Sequence, residues 1–303
     1  MYDVMIIGGG FAGLAAAMQL GRARRSVLVV DTDEPRNRYS PAVHGFPGQD
    51  GRAPFEVRRD LRAELETYGT VEFLTARGVD ARPCDDDSFE VSLESPSGIT
   101  RERARRLILA TGVGDELPDI PGLEERWGRT VLHCPYCHGF EVGDRKLGVL
   151  ATSELSMHHA LLLGDWSGEV TLFTNDAFAP DAAQRAALAA RGTRVETRKV
   201  IELVGGEPPS LEGVRLADGE IVPLDAIFVA SRTRLTSRIA ERLGCELEDG
   251  PQGEIVRTDA TKETTVKGVF AAGDAARSPH NALFAASDGA MAGIAAHRSL
   301  VMG

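Results

Sequence analysis

The tightest constraint on the fold lies at Gly8-Gly9-Gly10-Phe11-Ala12-Gly13. This turn stands between an apolar run at residues 2–8 and a helical pattern over residues 12–24, and a second apolar run at 26–30 ends at Asp31. Strand, glycine turn, helix, strand and acid in that order make a βαβ unit of about 30 residues, which gives G-x-G-x-x-G its meaning as a dinucleotide fingerprint. Gly8 permits the tight turn, Gly10 lets a pyrophosphate approach the backbone at the helix N-terminus, and Gly13 lets helix and strand pack closely. Phe11 and Ala12 complete the segment, and Asp31 is placed to bind ribose hydroxyls.

The chain repeats this plan. Slid along itself without a gap, Val4 falls on Leu147, Gly8 on Ala151 and Asp31 on Thr174. The three glycines become Ala151, Ser153 and Ser156, so side chains fill the space a pyrophosphate needs, and a second dinucleotide is expected to bind poorly. Thr174, Asn175 and Asp176 offer neither an acid placed like Asp31 nor arginines for an adenosine 2′-phosphate. His158 and His159 sit in the following helix pointing in different directions, which argues for packing or surface roles over a metal pair.

Between and after the copies, residues 54–68 read as an amphipathic helix, 88–94 and 99–103 as a hairpin, and 107–110 as a buried strand. A linker-like stretch follows at 117–122. Residues 211–223 read as a hairpin turning at Asp218-Gly219, 225–230 as a strand, and 282–301 as a helix rich in Ala and Gly. The expected class is α/β, with two Rossmann-like, three-layer ββα domains. Residues 1–115 with 234–303 form a discontinuous dinucleotide domain, interrupted by a continuous domain at 116–233.

A formal charge of −11 with no basic tract argues against a nucleic-acid groove and against electrostatic membrane docking. No stretch is long and apolar enough to span a bilayer, and residues 1–20 lack the basic start of a signal peptide, so the expected compartment is the cytoplasm. There the four cysteines point to thiol chemistry more than to structural bridges.

That chemistry centres on His133-Cys134-Pro135-Tyr136-Cys137-His138. A Cys-x-x-Cys lets two thiols form and break a disulfide on one turn, and in a helix His138 lies one turn from Cys134, where it could move a proton. The competing readings are inert thiols and structural zinc. Zinc would want a second ligand pair at short spacing, and Cys84 and Cys245 are single and distant.

Taken in order, Gly8-x-Gly10-x-x-Gly13, Ala110-Thr111-Gly112, Cys134-Pro-Tyr-Cys137 and Gly273-Asp274 resemble the low-molecular-weight thioredoxin reductases over almost the whole chain. The resemblance implies FAD held by the first and last segments, Gly273-Asp274 against the ribityl and phosphate, an NADPH domain carrying the Cys-x-x-Cys, and a homodimer. Two departures matter: His138 replaces the acid that usually follows the second cysteine, and the nicotinamide half-site lacks its glycines and basic residues. Both are similar to a branch of the family, the dithiol oxidases of gliotoxin and holomycin biosynthesis.

In that branch a substrate dithiol reduces the enzyme disulfide, the thiols reduce FAD, and O2 reoxidises it to give peroxide. Family order then implies that Cys134 exchanges with substrate and Cys137 faces the flavin, while spacing and a near-neutral reference pKa make His138 the candidate base. His44 and His280 fall on segments that pass the flavin in the family, with loop packing the plainer reading of each. The expected partners are a small dithiol or disulfide, or a thioredoxin-like protein. Alternatives are a reductase fed by ferredoxin or another donor, one retaining a weakened NADPH pocket, and a flavin-bound redox sensor.

Overall fold

The computed structural model describes residues 1–303. They divide into two compact units, the first made of Met1–Arg38, Ala53–Gly114 and Thr233–Gly303, the second of Tyr39–Arg52 and Asp115–Arg232.

In the first unit, strand β1 (Tyr2–Ile7), helix α1 (Phe11–Arg22) and strand β2 (Val27–Asp31) form the expected βαβ, with β1 parallel to β2 in the register Val4↔Val27. The sheet runs Val71–Thr75, β2, β1, Gly98–Leu109, Ser88–Ser95, Arg77–Cys84, and Val269–Ala271 pairs in parallel with Gly98–Leu109. Side chains alternate along β1. Val4 and Ile6 join α1 and the C-terminal helix Ala282–Met302, while Met5 and Ile7 join Ala81, Val91 and Leu93 of the antiparallel strands. Each such fully buried aliphatic side chain contributes roughly 1.5–3 kcal/mol. The composition of the C-terminal helix has a packing cause: a Cβ on Gly289 would overlap the Ala12 carbonyl, and one on Gly293 would lie 2.6 Å from that of Ala16.

The second unit repeats the parallel core: Arg194–Glu196, Val170–Phe173, Leu147–Leu150, Ala226–Val229, Val131–Leu132. Strand for strand this matches the order of the first unit, and each unit carries an antiparallel layer, here Val200–Val204, Gly213–Leu216 and Ile221–Pro223. The hairpin turns at Gly219 (φ 91°), as its Asp-Gly predicts. Strands Arg77–Cys84 and Val200–Val204 are unanticipated. The first is broken by a bulge between Gly78 and Asp80, and the second by one between Val200 and Glu202, so neither keeps a clean period of two.

One boundary differs from expectation. The sequence places residues 39–52 with 1–115, yet they group with the second unit, because Gly128 packs against Tyr39, where a Cβ would lie 2.7 Å from the Tyr39 Cβ, and Arg129 Nε donates to the Tyr39 carbonyl at 3.2 Å.

Candidate active site

The first unit gathers its glycine turn, Asp31, Ala110–Gly112 and Gly273 into one cradle. Gly8 has φ 110° and lies so close to the Ala110 carbonyl that a Cβ would overlap it and reach 3.2 Å from the Thr111 nitrogen. A Cβ on Gly13 would overlap the Gly8 carbonyl, which explains why helix and strand need glycine at both places. Around Gly10 the space is open, with nothing within 4 Å of an added Cβ, and Gly10 caps α1 with no side chain on its N-terminal amides. The positive end of a twelve-residue helix, with no side chain capping it, is a ready anion site. Phe11 and Ala12, both buried, start that helix, and a Cβ on Gly273 would lie 2.9 Å from the Ala12 Cβ.

Two arginines that sequence reasoning passed over organise the acids. Arg58, on the inner face of the helix Pro54–Glu66, is 9 % exposed and donates through Nη2 to Asp31 Oδ2 at 2.6 Å and through Nε to the Gly9 carbonyl at 3.2 Å. Its Nη1 meets Asp33 at 3.0 Å. Arg36 pairs with Asp274 at 3.1 Å. The only available signal was position: Arg58 sits beside Val57 on a face that otherwise buries apolar side chains.

In the second unit Cys134 and Cys137 are joined in a disulfide, Cα to Cα 5.2 Å. Cys134 stands at the N-cap of the four-residue helix Pro135–His138, with Pro135 fixing its first turn. Tyr136 is exposed, its ring edge-on to Trp166 at 5.7 Å, and Phe140 is 86 % exposed. His138 ends the helix. Burial, and secondarily His44, holds its pKa down to about 4, so the near-neutral titration expected from its reference value is displaced and the ring is uncharged at pH 7. His44 lies edge-to-face with it, centroids 6.4 Å apart.

The second βαβ turn is rebuilt rather than merely substituted. Its helix, Ser156–Leu162, has seven residues and starts five positions after Ala151, whereas α1 starts three after Gly8. Ser156, fully buried, accepts the Thr152 N–H through Oγ at 3.2 Å. Glu154 stands in the turn, held by the Gln184 amide at 2.6 Å. Asn175 Oδ1 accepts the Val200 N–H, and Arg198 is tied to Glu196, Asp218 and Glu220. His158 is exposed and His159 buried, as opposite directions on a helix require, and burial followed by His158 lowers His159 to about 4.

Residues 2–289 match the family model of pyridine nucleotide-disulphide oxidoreductases. The chain belongs to this family. It is an FAD-dependent, thioredoxin reductase-like disulfide oxidoreductase, and the Cβ-free cradle with its uncapped helix fits that cofactor. The chain is similar to the thioredoxin reductase tcpT of Claviceps purpurea, with 38 % identity covering 90 % of this chain and 86 % of that protein. The thioredoxin reductase sirT of Leptosphaeria maculans is 32 % identical, covering 97 % and 92 %. A solved oxidoreductase from Agrobacterium tumefaciens superposes with a TM-score of 0.93 at 49 % identity, covering 99 % of each chain. No helix of this disulfide oxidoreductase is long and apolar enough to cross a membrane.

Proposed function

We propose that this disulfide oxidoreductase is driven by thiols rather than by NADPH, oxidising a small dithiol and passing the electrons to O2. The observation that carries the reading is the rebuilt second turn: Ser156 holds the Thr152 amide, and Glu154 places a carboxylate where the first copy has Phe11. A diphosphate would meet a fixed negative charge and a pre-engaged amide in place of a helix terminus that no side chain caps. The residues Cys134-x-x-Cys137-His138 add the dithiol oxidase resemblance.

The roles follow from thiol exchange. An incoming thiolate attacks Cys134 and frees Cys137, and a second substrate thiolate displaces Cys134, leaving the substrate as a disulfide and the two cysteines reduced. His138, neutral at pH 7, can take a thiol proton. FAD supplies a two-electron acceptor for the cysteine pair, and O2 would leave as hydrogen peroxide. Gly8, Gly10, Phe11, Ala12, Gly13, Asp31, Ala110, Thr111, Gly112, Gly273 and Asp274 would line the FAD site, the first unit thus holding the flavin and the second the redox pair. Asp31, oriented by Arg58, would meet the ribose.

Incubation with a small dithiol in air tests this: one O2 consumed and one peroxide formed per disulfide, sustained over many turnovers, supports it. No turnover with dithiols while a reduced ferredoxin supports disulfide reduction would replace it with a donor-fed reductase. That second reading draws on Tyr136 and Phe140, whose exposure beside the disulfide suits a thioredoxin-like protein. A homodimer in the cytoplasm remains part of the proposal. The exposed Phe284, Met291 and Ile294 lie along one stripe of the C-terminal helix, a face suited to a second copy. Met291→Arg with Ile294→Arg should halve the mass seen by light scattering and leave the flavin content unchanged.

A further inference from the structure

We propose that His44 is a positioning residue that receives the proton His138 removes from the first substrate thiol and passes it towards Glu141 and Asp50. The inference rests on the thiol-exchange reading above. Oxidising a dithiol requires two deprotonations at one disulfide, and burial disfavours a charged His138, so a proton it takes must be handed on before it can take the second. His138 therefore needs a neighbour. His44 stands edge-to-face with it, centroids 6.4 Å apart. On its other side, His44 Nδ1 lies 3.4 Å from Glu141 Oε1 and 3.6 Å from Asp50 Oδ1.

The arrangement is graded from inside to outside. His44 is 17 % exposed, Glu141 39 % and Asp50 66 %, so a proton moving along the series reaches bulk water. The loop is also braced for this geometry. Gly45 (φ 69°) turns the chain so that its N–H donates to Asp50 Oδ1 at 2.8 Å, and Val43 and Arg52 form a β-bridge that closes the loop at its base. Overall, the Cys134–Cys137 bond breaks, the substrate S–S bond forms, two electrons move to the cysteines, and the two protons leave by way of His138 and the His44 chain.

The test is anaerobic stopped-flow reduction by dithiothreitol, followed at the oxidised flavin band from pH 5 to 9. His44→Phe should slow bleaching by about tenfold with flavin content and melting temperature unchanged, and added imidazole should restore much of the rate. Asp50→Asn with Glu141→Gln should slow it by about threefold. His44→Gln serves where the Phe variant fails to fold. A rate within twofold of the parent, or a loss that imidazole does not restore, would overturn the assignment and leave His44 a packing residue. If the parent bleaches with NADPH and not with dithiothreitol, the thiol-driven reading fails by itself. The same variants then decide the role of His44 in NADPH-driven reduction of a small disulfide, which needs the same protons in reverse.

Discussion

In the first βαβ unit the turn between strand and helix is Gly8 to Gly13, and the helix starts at Phe11 with no side chain capping it. In the second, Thr152 stands for Gly9, Glu154 for Phe11 and Ser156 for Gly13, and the turn satisfies itself through the Ser156 hydroxyl. The strands flanking the two turns are alike. Leu147 pairs with Val170 as Val4 pairs with Val27, and apolar side chains dominate both cores. The same strand frame therefore carries two different turns, and on the proposed reading a few turn residues decide which nucleotide each copy can hold.

The contrast can be broken most drastically at the glycines. Gly13→Val places side-chain atoms on the Gly8 carbonyl and should yield colourless protein, whereas Ser156→Val should keep its flavin; absorbance per chain distinguishes them. Grafting the first turn onto the second copy, with Ala151→Gly, Ser153→Gly, Ser156→Gly and Glu154→Ala, should raise the rate of flavin reduction by NADPH by about tenfold or more, equivalent to about 1.4 kcal/mol.

His159, which stands where the first copy has Ala16, carries a pH signature. Its folded pKa of about 4 lies below the unfolded 6.5, so the unfolded state binds the proton more readily. Stability is therefore full above pH 6.5 and falls as the pH drops towards 4, by about 3 kcal/mol for this group. Denaturant titration of His159→Leu between pH 4 and 7 should show a shallower slope. The smallest effect is expected at Ser156→Ala, which leaves the Thr152 N–H without its acceptor and should cost about 1 kcal/mol.

What the sequence made legible was whatever repeats with a period or needs a special residue. The βαβ copies, the Asp218-Gly219 hairpin and the Ala/Gly helix fall into this group, since the packing of Gly289 on Ala12 leaves little choice of side chain. What escaped depends on distant neighbours. Arg58 reads as one more charge on an amphipathic helix until the fold brings Asp31 to it, 27 residues away. Residues 39–52 carry no periodic signal, and contacts with Gly128, Arg129, His138 and Glu141 place them with the second unit. His138 shows the same limit in its chemistry: its spacing from Cys134 was readable, but its depressed pKa arises from burial and from His44, 94 residues earlier in the chain.

Whether the second turn serves a nicotinamide cofactor is tested most directly by mixing the purified flavoprotein anaerobically with excess NADPH and watching the oxidised flavin band. No bleaching within seconds, followed by prompt bleaching when a dithiol is added, is the expected result. Rapid bleaching by NADPH alone would contradict it and return the protein to the pyridine nucleotide-driven reductases, with a serine-built pocket doing the work of glycines.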